Sequence, residues 1–214
     1  MPILNEGWDK RCEFMRNMYL FKVVLIGDGG VGKTALRKKF MGEGFSGAYI
    51  MTIGADFAIK SINLSNDAQV KFQIWDLAGQ PHFKAVREAF YKGTSGALLV
   101  YDVMIRNTFK NTVFWMEELI KNVGRIPVIL IGNKIDLRPM ADAPPDPRRS
   151  WVSNEEGQIL KRYLEERFDV PIVFIETSAK TGENVDLAFH ELAYLLLQTV
   201  KNVRMNYIGD IKYR

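Results

Sequence analysis

The run Gly27-Asp28-Gly29-Gly30-Val31-Gly32-Lys33-Thr34 sets two glycines, a lysine and a hydroxyl at the spacing G-x-x-x-x-G-K-[ST]. It stands between an apolar stretch, Phe21 to Ile26, and a segment of helical character that begins Ala35-Leu36-Arg37. Residues of these types in this order can wrap backbone around a polyphosphate. Glycine permits positive φ and close approach, and successive N–H groups then point inward at a helix N-terminus. The Lys33 ammonium would neutralise the β- and γ-phosphates, and the Thr34 hydroxyl suits Mg²⁺, a hard ion that prefers oxygen ligands. Gly29, Gly30, Val31, Gly32, Lys33, Thr34 and Ala35 are the candidate phosphate-binding residues.

Two later tetrapeptides, Asn133-Lys134-Ile135-Asp136 and Thr177-Ser178-Ala179-Lys180, follow apolar runs at Pro127 to Ile131 and Pro171 to Ile175. Both sit at expected strand ends, where open α/β sheets bind ligands. Guanine presents two donors, N1–H and N2–H₂, that one carboxylate can accept together, whereas adenine has an acceptor at N1. Asp136 would therefore select guanine, and a site whose groups a wrong base leaves unpaired can discriminate by ~10⁴ or more. This counts against an ATP-using enzyme. Lys134 could lay its aliphatic stem on the base, Asn133 could tie this loop to the phosphate loop, and the Ala179 N–H could meet the guanine carbonyl. Ser178 and Lys180 are grouped with them.

These loops need a scaffold. Short β-rich runs (Phe21 to Ile26, Val70 to Trp75, Ala97 to Val103, Pro127 to Ile131, Pro171 to Ile175) alternate with segments of helical spacing, a βαβα pattern. The helical stripes are Phe109, Val113, Met116, Ile120 and Val123, then Leu160, Tyr163, Leu164 and Phe168, then Val185, Phe189, Leu192 and Leu196. All three read as core. Ser153 to Glu156 has the spacing of a capping box that would start the second of these helices. Strands that are apolar throughout imply a sheet covered on both faces. Arg138 to Arg149, with four prolines, reads as a solvated loop. Leu4, Trp8, Cys12, Met15 and Tyr19 recur at helical spacing opposite charged residues, so the N-terminal extension reads as an amphipathic helix expected to pack on the domain.

At 214 residues one domain is expected, and 47% hydrophobic with 25% charged residues excludes wholesale disorder. The net charge of +4 is interspersed along the chain, which argues against nucleic acid as a partner. A single cysteine, Cys12, excludes an intrachain disulfide and fits a reducing, cytoplasmic address, and no apolar stretch approaches the roughly 18 residues of a membrane span.

With these motifs in place, residues from Phe21 to about Val200 resemble the Ras superfamily of small GTPases, the Rab branch most closely. The Rab-like wording is Tyr49-Ile-Met-Thr52-Ile-Gly-Ala-Asp-Phe57, Trp75-Asp76-Leu-Ala-Gly79-Gln80 and Phe90-Tyr91-Lys92-Gly93. The resemblance implies a P-loop NTPase G domain over 21–200, flanked by an extension at 1–20 and a tail at 201–214, with a mostly parallel six-stranded sheet and helices on both faces. It implies a molecular switch that binds GTP and GDP with Mg²⁺ and hydrolyses GTP, possible roles lying in membrane trafficking or a prokaryotic equivalent. The Thr52 hydroxyl would join that of Thr34 on Mg²⁺ only when a γ-phosphate is present, and Asp76 would complete the metal site by holding a Mg²⁺-bound water. The Gly79 N–H would touch the γ-phosphate, Gln80 would orient the attacking water and Lys33 would stabilise charge. Phe45 would pack against the guanine edge and Tyr49 would lie over the phosphates. Effector, exchange and GTPase-activating proteins would dock at the switch regions.

Two features, Pro81 and the wording at the termini, depart from the family pattern. Pro81 stands where the family usually carries Glu, and it should start the second switch helix at once and stiffen Gln80, giving slow intrinsic hydrolysis on the order of ~10⁻⁴ s⁻¹. Arg37, Arg87 and Arg106 read as surface or loop charges, which leaves the catalytic arginine to a partner in trans. The C-terminal residues lack prenylation cysteines and Pro2 precludes N-myristoylation, so peripheral membrane association is left open. His82 is not expected to act as a base, and His190 reads as half-buried and structural. A nucleotide-binding scaffold with negligible turnover is the alternative reading.

Overall fold

The computed structural model describes residues 18–45, 51–65, 68–139 and 151–212. Residues 1–17 of the expected N-terminal helix, the proline-rich loop from 140 onward and Tyr49 lie outside the described residues, whereas Tyr19, the last residue of the expected helical stripe, lies in a β-strand that pairs it with Val70.

The elements in chain order are β1 (Met18–Ile26), α1 (Lys33–Met41), β2 (Ala55–Ser65), β3 (Ala68–Leu77), a 3₁₀ turn (Pro81–Phe83) running into α2 (Lys84–Phe90), and β4 (Gly96–Asp102). Then come α3 (Arg106–Lys110), α4 (Thr112–Val123), β5 (Val128–Asn133), a 3₁₀ turn (Ile135–Leu137), α5 (Asn154–Phe168), β6 (Ile172–Thr177) and α6 (Val185–Lys212). The six strands form one sheet in the order β2-β3-β1-β4-β5-β6. Every pairing is parallel except β2 with β3. The last helix continues past residue 200 without a break.

Alternation along β1 explains the three layers. Phe21, Val23 and Leu25 point to one face, where they pack with Leu36 and Phe40 of α1 and Phe189, Leu192 and Leu196 of α6. Val24 and Ile26 point to the other, against Trp115, Met116 and Leu119 of α4 and Leu160 and Leu164 of α5. β4 and β5 are buried along their whole length, as continuous apolar runs between two helical layers should be. The stripe on α5 is narrower than its spacing suggests: Tyr163 faces outward, where its hydroxyl accepts a hydrogen bond from Arg167.

β2 was not among the strands expected from apolar runs. It is an edge strand whose inward residues, Ala58 and Ile62, alternate with exposed Phe57, Ile59, Ser61 and Asn63, and that mixture produces no continuous apolar signal. The capping box does form: the Ser153 N–H donates to Glu156 Oε2 at 2.9 Å and the Glu156 N–H to Ser153 Oγ at 3.3 Å. Among the described residues, no helix is long and apolar enough to cross a membrane.

Candidate functional site

β1 is central in the sheet, so the loop after it emerges from the middle of the C-terminal edge. Gly27 leaves the strand at φ 136°, where a Cβ would lie 2.1 Å from the Val100 carbonyl oxygen on β4. Only glycine passes there. Gly32 caps α1 at φ 101°, and a Cβ on it would come within 2.3 Å of Asn133 Nδ2.

Lys33, buried at the start of α1, donates from Nζ to the carbonyls of Gly27 and Asp28, both at 2.7 Å. Burial pulls its pKa down to about 8, against the upward pull of Asp76 and Asp28. Thr34 Oγ1 donates to Asp76 Oδ2 and lies 2.9 Å from Thr52 Oγ1, which is itself 3.4 Å from the same carboxylate oxygen. Burial raises the Asp76 pKa, and the Thr34 hydroxyl and the Lys33 ammonium oppose that rise. The other carboxylate oxygen, Asp76 Oδ1, is buried without a hydrogen-bond partner. Two hydroxyls and an acid with one unpaired oxygen make a donor set that fits a hard, oxygen-seeking divalent cation.

At the end of β5, Asn133 Nδ2 donates to the Val31 carbonyl at 2.8 Å, which is the expected tie to the phosphate loop. Asn133 Oδ1 accepts from Thr177 Oγ1 at 3.0 Å and from the Ala179 N–H at 3.2 Å, joining the end of β6. Ser178 Oγ donates to Asp136 Oδ1 at 2.7 Å, and Lys180 Nζ stands 3.9 Å from Asp136 Oδ2. Lys134 takes a left-handed φ of 73° and pairs with buried Asp102 at 2.7 Å.

A cavity of about 430 Å³ runs between these groups, a size that suits a small-molecule ligand. Its wall takes in Gly29, Gly30, Gly32, Lys33, Thr34, Ala35, Phe45, Thr52, Gly79, Gln80, Asn133, Lys134, Asp136, Ala179 and Lys180. Asp76 and Ser178 sit behind that wall, and the Val31 side chain belongs to the core while its carbonyl holds Asn133. Leu137, Lys38 and Lys39 also line the cavity and carry no motif that would mark them.

Two arginines expected at the surface are buried. Arg37 pairs with Asp56 at 2.6 Å at the start of β2. Arg87 is 1% exposed, and four hydrogen bonds hold it: Nε and Nη2 donate to Glu118 at 2.9 and 3.0 Å, and Nη1 donates to the carbonyls of Ala78 at 3.0 Å and Gln80 at 2.8 Å. Arg106 does lie partly exposed, paired with Glu156 at 2.9 Å. Asp28, an unassigned position of the phosphate loop, accepts from Asn111 Nδ2 and Trp115 Nε1, both at 2.7 Å. Those partners are more than 80 positions away, and no local pattern signals them. Pro81 opens the 3₁₀ turn before α2, as a proline at a first helical position should. His82 is exposed and packs on Phe83, whereas half-buried His190 bonds through Nδ1 to the Asp186 carbonyl oxygen.

The model of the Ras family matches residues 22–198. The Ras-related protein RABA1c of Arabidopsis thaliana is 42% identical over 175 residues, covering 81% of this chain and 74% of that protein. The Ras-related protein Rab11D of Lotus japonicus is 43% identical over 176 residues, covering 81% and 73%.

Proposed function

The chain belongs to the Ras family as a Rab-like GTPase, and from that premise we propose that it is a slow timed switch whose two states differ chiefly in the loop carrying Thr52. One observation carries the reading: a hydroxyl from that loop, Thr52 Oγ1, reaches the same carboxylate as Thr34, beside an acid oxygen that no protein group satisfies.

Thr34, Thr52 and Asp76 would hold Mg²⁺, which when bound supplies positive charge to the phosphate oxygens. Lys33 exchanges its two carbonyl acceptors for β- and γ-phosphate oxygens. The Gly79 N–H donates to the γ-phosphate, and Gln80, beside Gly29 at the same end of the cavity, orients water for in-line attack. At the other end Asp136 accepts from guanine while Asn133 locks its loop to the phosphate loop. Phe45 closes the base edge. After hydrolysis the departing γ-phosphate takes with it the group that kept the Thr52 loop closed, so partners read the phosphate number. Effectors, exchange factors and an arginine-donating activator belong at this surface, and trafficking at a membrane is the setting the Rab likeness favours.

The test is to load the chain with GTP and Mg²⁺ and follow conversion to GDP by chromatography, beside ATP and a Gln80→Leu variant. Conversion near ~10⁻⁴ s⁻¹ that the variant abolishes supports the timed switch. Stable GTP in both proteins would favour a scaffold whose nucleotide is structural.

A further inference from the structure

We propose that Arg87 is a positioning residue for hydrolysis, holding the Ala78–Gln80 backbone against α4 and so setting where the Gln80 amide stands. The inference rests on the GTPase reading above.

Arg87 Nη1 bonds the carbonyls on either side of Gly79, those of Ala78 and Gln80, so a single nitrogen clamps the segment that is to meet the γ-phosphate and the attacking water. The fork is fixed in turn. Its other two nitrogens meet the two oxygens of Glu118, which is buried on α4 and also accepts the Tyr91 hydroxyl at 2.9 Å. The guanidinium lies 4.5 Å from the centre of the Trp115 ring, and the same indole donates to Asp28 in the phosphate loop. One helix thus anchors both the phosphate loop and the Gln80 peptide.

Little freedom is left between these anchors. Pro81 fixes the next φ, and the Gln80 carbonyl also accepts from the Phe83 N–H at 3.1 Å. The Gln80 side chain stands close over Gly29, where a Cβ would come within 3.3 Å of Gln80 Nε2. A displacement of about 1 Å in such a group can cost on the order of 10²-fold in rate. Buried charge is poor value for stability alone, since apolar groups of like volume often serve as well. The planar fork is suited to fixing two carbonyls and a carboxylate at once.

The experiment measures single-turnover GTP hydrolysis and the Kd for GTP and GDP in the full chain and in Arg87→Met/Glu118→Leu, which removes both charges so that neither is left buried alone. A rate at least tenfold lower, with both Kd values within about twofold of the parent, is expected. Added to Gln80→Ala, whose slower residual conversion is followed over days, the same pair of changes should slow hydrolysis no further, because Arg87 acts through Gln80. Arg87→Lys keeps the charge without the fork, should give an intermediate rate, and carries the test if the double variant does not fold. An unchanged rate would overturn the inference, as would an equal loss in the Gln80→Ala background or a parallel loss of nucleotide affinity, either of which marks a merely structural pair. If the parent chain and Gln80→Ala leave GTP equally intact, the GTPase reading fails and this inference falls with it.

Discussion

At the base end of the cavity, Asn133 and Asp136 are held by Val31, Thr177, Ala179 and Ser178, all from strand ends or the loops directly after them. At the phosphate end, Lys33 leans on carbonyls of its own loop, and Thr34 and Thr52 share one carboxylate oxygen while the other has no partner. The first arrangement is complete without ligand and loses little freedom when a base arrives, which favours specificity. In the proposed reading the second consists of groups that exchange partners when a polyphosphate binds, which favours sensitivity to how many phosphates there are. A switch needs both, and this site separates them along its length.

The largest effect is expected at Asp136. Asp136→Ala removes a charged acceptor for two guanine donors and should weaken GTP and GDP by about 10³-fold, erasing any preference over ATP. Competition against a fluorescent guanine nucleotide reads this, and retained selectivity would move base recognition elsewhere.

A smaller effect should come from pH at the other end. Free Lys33 has a pKa of about 8, and a bound polyphosphate keeps its ammonium charged. Binding therefore takes up most of a proton near pH 8.5, and affinity should fall roughly sevenfold between pH 7 and pH 8.8. Calorimetry in buffers of different ionisation enthalpy measures the uptake; a flat profile would mean that Lys33 is already fully charged.

Smallest is Ser178→Ala, which deletes one hydrogen bond to Asp136 and should raise both Kd values about fivefold, the equivalent of about 1 kcal/mol. If GTP and GDP lose unequally, the base end is not indifferent to phosphate number and the two ends are coupled.

The legible parts of this molecule are those whose signal is local. The phosphate loop, the Asn133 and Ser178 loops, the capping box at Ser153 and the helix start at Pro81 each announce themselves within a few residues. β2 did not, because half of an edge strand faces water and its polar residues dilute the pattern. Arg87 and Glu118 did not either. Each lies among charged helical residues, and their burial depends on a partner 31 positions away. Tyr163 shows the converse error, an apolar period read one residue too wide.

The strand order also dictates how the site must come into being on a ribosome. β1, the first strand among the described residues, ends up at the centre of the sheet, while Ser178, Ala179 and Lys180 follow β6. Synthesis from Thr34 to Lys180 takes roughly 7 to 30 s at ordinary rates. For that interval the phosphate loop exists with no base end to complete it. Base contacts cannot template early folding, and although β3 and β4 can pair both edges of β1, the face bearing Phe21, Val23 and Leu25 waits for Phe189, Leu192 and Leu196 of the last helix.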